Sequence, residues 1–212
     1  MKVGRGLWRL RARARGQGGF TLVEMLVAGA VLVIIASVFM TLLESVQEGV
    51  ARQDYRSRSN DQARLAMEAV DREVRSGSVL YDPAGEVDAG GVSLAYYGLR
   101  VYTYANAPTR NAGNPVCVQF RISNQQLLRR WWPSGNTAAS TGWQIVATNV
   151  VNVTQGVRAF QLDPTNSRIV DVTILANVQT TGRFAGPAVR IQSSDSIRNS
   201  GTGNPCTPVP SG

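Results

Sequence analysis

Histidine is absent from this 212-residue chain. That absence excludes histidine general bases, Ser-His-Asp triads and histidine metal sites in one step. Cysteine is scarce: Cys117 and Cys206 are the only two, and without histidine neither has the usual partner of a catalytic thiol. No P-loop, nucleophile elbow or metal-ligand spacing occurs. The expectation is a protein without cofactor or metal and without enzymatic activity. No acid precedes Glu24 and no proline precedes Pro83. The first absence leaves Lys2, Arg5, Arg9, Arg11, Arg13 and Arg15 unbalanced. The net charge is +8, and only +2 remains once those six are set aside. The basicity therefore belongs to an N-terminal leader and says little about partners of the folded body.

Long apolar runs are also scarce, with one exception. Residues 25–43 read MLVAGAVLVIIASVFMTLL, without a charge. As a helix this stretch reaches about 28 Å, close to the ~30 Å hydrocarbon core of a bilayer. The arginine-rich flank predicts a cytoplasmic N-terminus, with everything after Leu43 on the far side. A secretory signal peptide would need a small-residue cleavage site after the run, and ESVQEGVARQ offers none. An uncleaved anchor explains the charge and the run, but not Glu24 at the lip of the run, nor GGFTLVEML before it.

Gly19, Phe20, Thr21, Leu22, Val23, Glu24 and Met25 resemble the processing site of type IV prepilins: a basic leader ending in Gly, then Phe, then an acid at the fifth mature position opening a long apolar helix. The resemblance implies cleavage between Gly19 and Phe20 by a prepilin peptidase, N-methylation of Phe20, and retention of the apolar helix. It also gives Glu24 a role. A carboxylate costs roughly 2.5–3.5 kcal/mol at the centre of a membrane helix and less near the interface. The Phe20 amino group of a neighbouring subunit would offset that cost and fix register between subunits. The alternative is that Glu24 lies in the headgroup zone. The helix-breaking proline that bulk-forming pilins often carry near the end of the membrane half is missing, which points to a minor subunit.

The helical pattern continues beyond the run. In NDQARLAMEAVDREVR (60–75), Ala63, Ala66, Met67, Val70 and Val74 recur at helical spacing, with charges on the other faces. This half should lie against the body, and a helix unbroken from Phe20 would run roughly 85 Å. Gly49 and RQDYRSRSN could bend or soften it. Ser76-Gly77-Ser78 supplies a stop, with Gly77 as the expected left-handed residue after it.

From Val79 the pattern turns to period two. Strands are expected at Val92–Tyr104 (in two pieces around Gly98), Val116–Ile122, Leu127–Trp132, Trp143–Ala147, Val157–Leu162, Ile169–Val178 and Val189–Gln192. Clusters such as APTRNAGNP and PSGNTAASTG separate them. Ile169 to Ala176 alternate as a strand with one apolar face. The fold class is α+β: a long N-terminal helix packed on an antiparallel β-sheet head. The domains are a leader at 1–19, the helix at 20–76 and the head at 77–212 with a Gly/Pro-rich tail. The stretch from LLRRWW through WQIVATNVVNVTQGVRAFQLD to SRIVDVTILANVQ resembles the end of minor pilins of the PilW type and of the J-type minor pseudopilin of type II secretion.

Three further patterns bear on function. Cys117 and Cys206 sit across the membrane in this orientation, where a disulfide is permitted. It would close roughly 90 residues, constrain the unfolded chain by about 4–5 kcal/mol in the entropy model and pin the tail; two free thiols are the alternative. Arg129, Arg130, Trp131 and Trp132 put cations beside aromatics and could stack bases and contact phosphates; packing within a strand pair is the alternative. Asp82, Glu86 and Asp88 share a Gly-containing loop, but their spacing matches no calcium signature, and a solvated loop is expected. The reading is a minor pilin-like subunit that initiates or tips a type IV pilus. Its partners are other pilin-like subunits, prepilin peptidase and the inner membrane, with DNA a remote candidate. A type II secretion pseudopilin and a DNA-binding competence pilin are the alternatives.

Overall fold

The computed structural model describes residues 19–104, 115–181, 185–199, 201, 203 and 205–210; the leader cations and most of the APTRNAGNP loop lie outside them. The chain divides into two units, residues 1–47 and 48–212. One helix, α1 (Leu22–Arg75, 54 residues), passes through the boundary. Its start is set by Thr21, whose hydroxyl accepts a hydrogen bond from the Glu24 amide at 3.3 Å. Thr21 and Glu24 are spaced as the two ends of a capping box, and Glu24 also complements the positive end of the helix dipole. In the first unit α1 is the one regular element among the described residues, and residues 19–47 are all exposed.

Among the described residues the second unit holds the rest of α1 and eight strands. They are β1 (Gly77–Leu80), β2 (Gly98–Thr103), β3 (Val116–Ser123), β4 (Gln126–Pro133), β5 (Gln144–Thr148), β6 (Phe160–Leu162), β7 (Ile169–Ala176) and β8 (Val189–Ser196). The first five form an antiparallel sheet in chain order, and the last three form a second antiparallel sheet in chain order. One core serves both. Ala63, Ala66, Ala69, Val70 and Val74 of α1 meet Leu99, Val101, Val118, Phe120, Ile122 and Leu127 of the first sheet and Phe160, Val170, Val172 and Ile174 of the second. The small alanines, three apart, let the helix backbone approach the sheets closely. Polar ties fix its register. The Thr148 amide donates to Gln62 Oε1 at 2.8 Å, and the Val178 amide donates to Ser59 Oγ at 3.0 Å.

Several expected boundaries moved. Val92–Tyr97 is not a strand: the Tyr97 and Gly98 amides both turn back to Leu94 O, and Tyr96 has φ 65°. Its other backbone groups find scattered partners, the Leu94 amide at Glu86 O, the Tyr96 amide at Pro83 O and the Ile122 amide at Tyr97 O, so no continuous ladder forms before β2. Val157–Ala159 likewise fall outside β6, with the Ala159 and Phe160 amides both donating to Tyr96 O. β8 runs on to Ser196 through a polar stretch, because Ser193–Ser196 pair with Val172–Ile169. Gly77 is no left-handed helix stop. It opens β1, a strand the pattern did not reveal, and glycine is required there because a Cβ would lie 2.7 Å from Val101 Cγ1 and 2.9 Å from Val74 O.

Candidate functional site

The apolar half of α1 is the first candidate. Phe20, Leu26, Val33, Ile34, Ile35, Phe39 and Leu42 are all exposed, and the run is long and apolar enough to cross a membrane with none of it covered. Between Phe20 and Gln47 the only charges are Glu24 and Glu44. Ser37 and Thr41 do not add unsatisfied polarity. Ser37 Oγ donates to Ile34 O at 2.8 Å, and Thr41 Oγ1 donates to Val38 O at 2.9 Å. Such hydroxyls return to the helix backbone and are tolerated in hydrocarbon. Exposed apolar surface of this extent is the kind found at membrane- or protein-interaction sites. Gly19 and Phe20 lie just before the helix, both exposed and outside any regular element.

The Arg129–Trp132 quartet does not form a stacking platform. Strand alternation sends Arg129 and Trp131 to the helix side and Arg130 and Trp132 to the opposite side. Arg129 Nη1 lies 3.4 Å from Glu73 Oε1 of α1, a fully buried carboxylate. Trp131 packs on the core. Arg130 and Trp132 are 2% and 1% exposed, so neither offers a face to a base. Burial removes Arg130 and Trp132 from the candidate nucleic-acid contact, and the two tryptophans pack on opposite faces of the strand, as the alternative reading has it.

What the far face of the five-stranded sheet holds instead is a buried polar network. Arg130 Nε donates to Gln119 Oε1 at 2.9 Å, and Gln119 Nε2 donates to Glu86 and to the Val87 carbonyl. Arg100 Nε lies 3.3 Å from Glu86 Oε2. Asp88 is paired with Arg121 and with Arg130. Trp143 stacks with both of these guanidinium groups, at 4.2 and 4.4 Å. Burial raises the Glu86 carboxyl above its usual range, opposed by Arg100 and Gln119, and burial lowers the Arg130 guanidinium, opposed by Asp88. The loop is thus solvated at Asp82 but not at Glu86, which is buried, or at Asp88, which is half-buried. Asp82 caps a short turn through the Ala84 amide, and the other two carboxylates face arginines, so the three do not converge on a cation.

Cys117 and Cys206 are joined in a disulfide on this same face. The Cys206 amide donates to Tyr81 Oη at 2.8 Å, Arg100 Nη1 donates to Cys206 O at 3.0 Å, and Ser134 Oγ donates to Pro205 O at 2.8 Å. The tail is held by backbone recognition as well as by sulfur.

A second cluster escaped the sequence reading. Asp195 of β8 is 2% exposed and lies against Asp71 and Arg75 of α1, with Arg75 Nη2 at 3.6 Å. Burial, then the hydrogen bond with the Asp71 carboxyl, pushes the Asp195 carboxyl up to about 6. Strand polarity gave no hint of it, because QSSDS reads as a solvated run. A concavity of about 780 Å³ lies over the outer face of the three-stranded sheet. Within it Gln192 Nε2 donates to Thr173 Oγ1 at 3.1 Å and Ser194 Oγ donates to Asp171.

No protein-family model, no curated protein and no solved structure matches this chain.

Proposed function

We propose that the chain is a minor pilin-like structural subunit, not an enzyme. It enters the inner membrane through residues 25–43, is cut between Gly19 and Phe20 by prepilin peptidase and is methylated at Phe20. It then assembles through the apolar half of α1 to initiate or tip a type IV pilus. The observation that carries this reading is an exposed apolar helix half that opens on a single capped acid, Glu24, five residues after a glycine at the end of a basic leader. Burying each of its large side chains is worth about 1.5–3 kcal/mol against water. Inside hydrocarbon that term vanishes, and packing and polar pairing drive helix association instead. Glu24 supplies the polar pair: once a neighbour's Phe20 amine meets it, the subunit can leave the bilayer in one register only.

The test is intact mass and N-terminal peptide mapping of protein recovered from its own host's membranes. A mature start at Phe20 carrying one methyl group is expected. A start at Met1, or one beyond Leu43, overturns the reading. Glu24→Val, which preserves insertion, should still be cut and should fail to enter the sheared filament fraction.

A further inference from the structure

Most arginines of the head are spoken for. Arg52 and Arg58 pair along α1 with Glu48 and Asp54, while Arg75, Arg100, Arg121, Arg129 and Arg130 reach carboxylates of the head. Arg158 stacks on Tyr96, and Arg168 donates to the Ile197 and Asn199 carbonyls. Arg56 and Arg190, like Arg64, Arg72 and Arg198, have no carboxylate of the chain against them among the described residues, and these two line one groove of about 470 Å³. Its helical wall is Gln53, Arg56, Ser57 and Asn60, a single stripe of α1 at three- and four-residue spacing, and its other wall is Pro187 and Ala188 with the first two residues of β8. The lining contains no acid. Arg56 also lines the adjoining groove of about 480 Å³ beside Asn177 and Gln179. Two guanidinium groups with hydroxyl and amide donors around them, and no counter-charge, are arranged for a carboxylate.

The chain itself shows where such a carboxylate comes from. The exposed run of α1 carries Glu44 as well as Glu24, and Glu44 has no ion pair among the described residues. When neighbouring subunits cover that run, an acid in this position is desolvated with it and needs a cation to stay charged. Resting on the proposed function, we infer that the Arg56–Arg190 groove is a docking site for a helix acid of a neighbouring filament subunit, of the kind Glu44 presents. Glu24 and Phe20 would set register at the membrane end, and this groove would set it at the base of the head. A charge pair of this sort governs partner choice more than affinity.

The experiment uses the full chain in its host, with a photo-crosslinking residue in place of Ser57. The expected product is a cross-link to a helix peptide of a pilin-like subunit, carrying an acid within one turn of the attachment point. Arg56→Glu/Arg190→Glu should be inserted and processed normally and be depleted from the sheared filament fraction by about tenfold or more. Arg56→Lys/Arg190→Lys should recover most of that loss. Wild-type filament incorporation of the double reversal, or cross-links to lipid or to unrelated proteins alone, overturns the inference. Processing at Phe20 reports separately on the pilin reading: a processed, assembled double reversal refutes only the groove, whereas an unprocessed wild-type chain refutes both.

Discussion

Asp195→Asn should change how the stability of the head depends on pH. The Asp195 side chain is enclosed between β8 and α1, where Asp71 and Arg75 face it from the helix and Ser193 Oγ donates to it at 3.0 Å from its own strand. Its carboxyl rises from 3.8 to about 6. At about 1.4 kcal/mol per pH unit, a displacement of about two units amounts to roughly 3 kcal/mol. Between about pH 4 and 6 the native chain keeps a proton that the unfolded chain has lost, so the contribution of this group falls as pH rises through that window and is level above it. In Asp195→Asn the fall is absent. The variant should match the wild type near pH 4 and exceed it above pH 6.5 by about 1–3 kcal/mol, the lower figure applying if the lost Arg75 contact was worth something. Urea unfolding of the full chain in detergent, followed by tryptophan fluorescence from pH 4 to 8, reads this directly. Wild-type and variant curves that run parallel across the window, or a wild type that gains stability over it relative to the variant, would refute the reasoning.

Other perturbations test the packing. Phe120→Ala, at a fully buried position in the core shared by α1 and both sheets, should cost about 3–5 kcal/mol in the same assay. Gly77→Ala forces a Cβ against Val101 Cγ1 and the Val74 carbonyl and should cost about 1–3 kcal/mol, since the carbonyl belongs to the last turn of a packed helix. Cys117→Ala/Cys206→Ala opens a cross-link spanning 89 residues and should lower stability by up to about 4–5 kcal/mol. Proteolysis should then release the tail before the sheet unfolds. Unchanged protease sensitivity would mean that Tyr81, Arg100 and Ser134 hold the tail without the sulfur.

Some features were legible because they are properties of a contiguous stretch. The helix from Leu22 to Arg75 and the face of Ala63, Ala66, Val70 and Val74 follow from local periodicity, and β7 from strict alternation. The apolar half is legible from composition alone, and the other patterns work because one side of each element is dry and the other wet. The α+β class follows from the same signals, since a single amphipathic helix can bury its stripe only against the strands that come after it. What the residues could not disclose is where two distant segments meet. Arg129 and Arg130 are neighbours of one type, yet the pleat sends one to Glu73 of α1 and the other to Gln119 and Asp88. Glu86 and Asp88 read as loop acids until the sheet brings Arg100, Arg121 and Arg130 to them. Asp195 looks solvated until β8 is laid along Asp71. β1 is four residues long and begins on a glycine whose need is set by Val101, twenty-four positions away in the chain. Period and composition belong to the sequence alone. The pairing of charges across strands, and with it the groove of Arg56 and Arg190, was decided only by tertiary structure, because Coulomb energy depends on separations that no local pattern encodes.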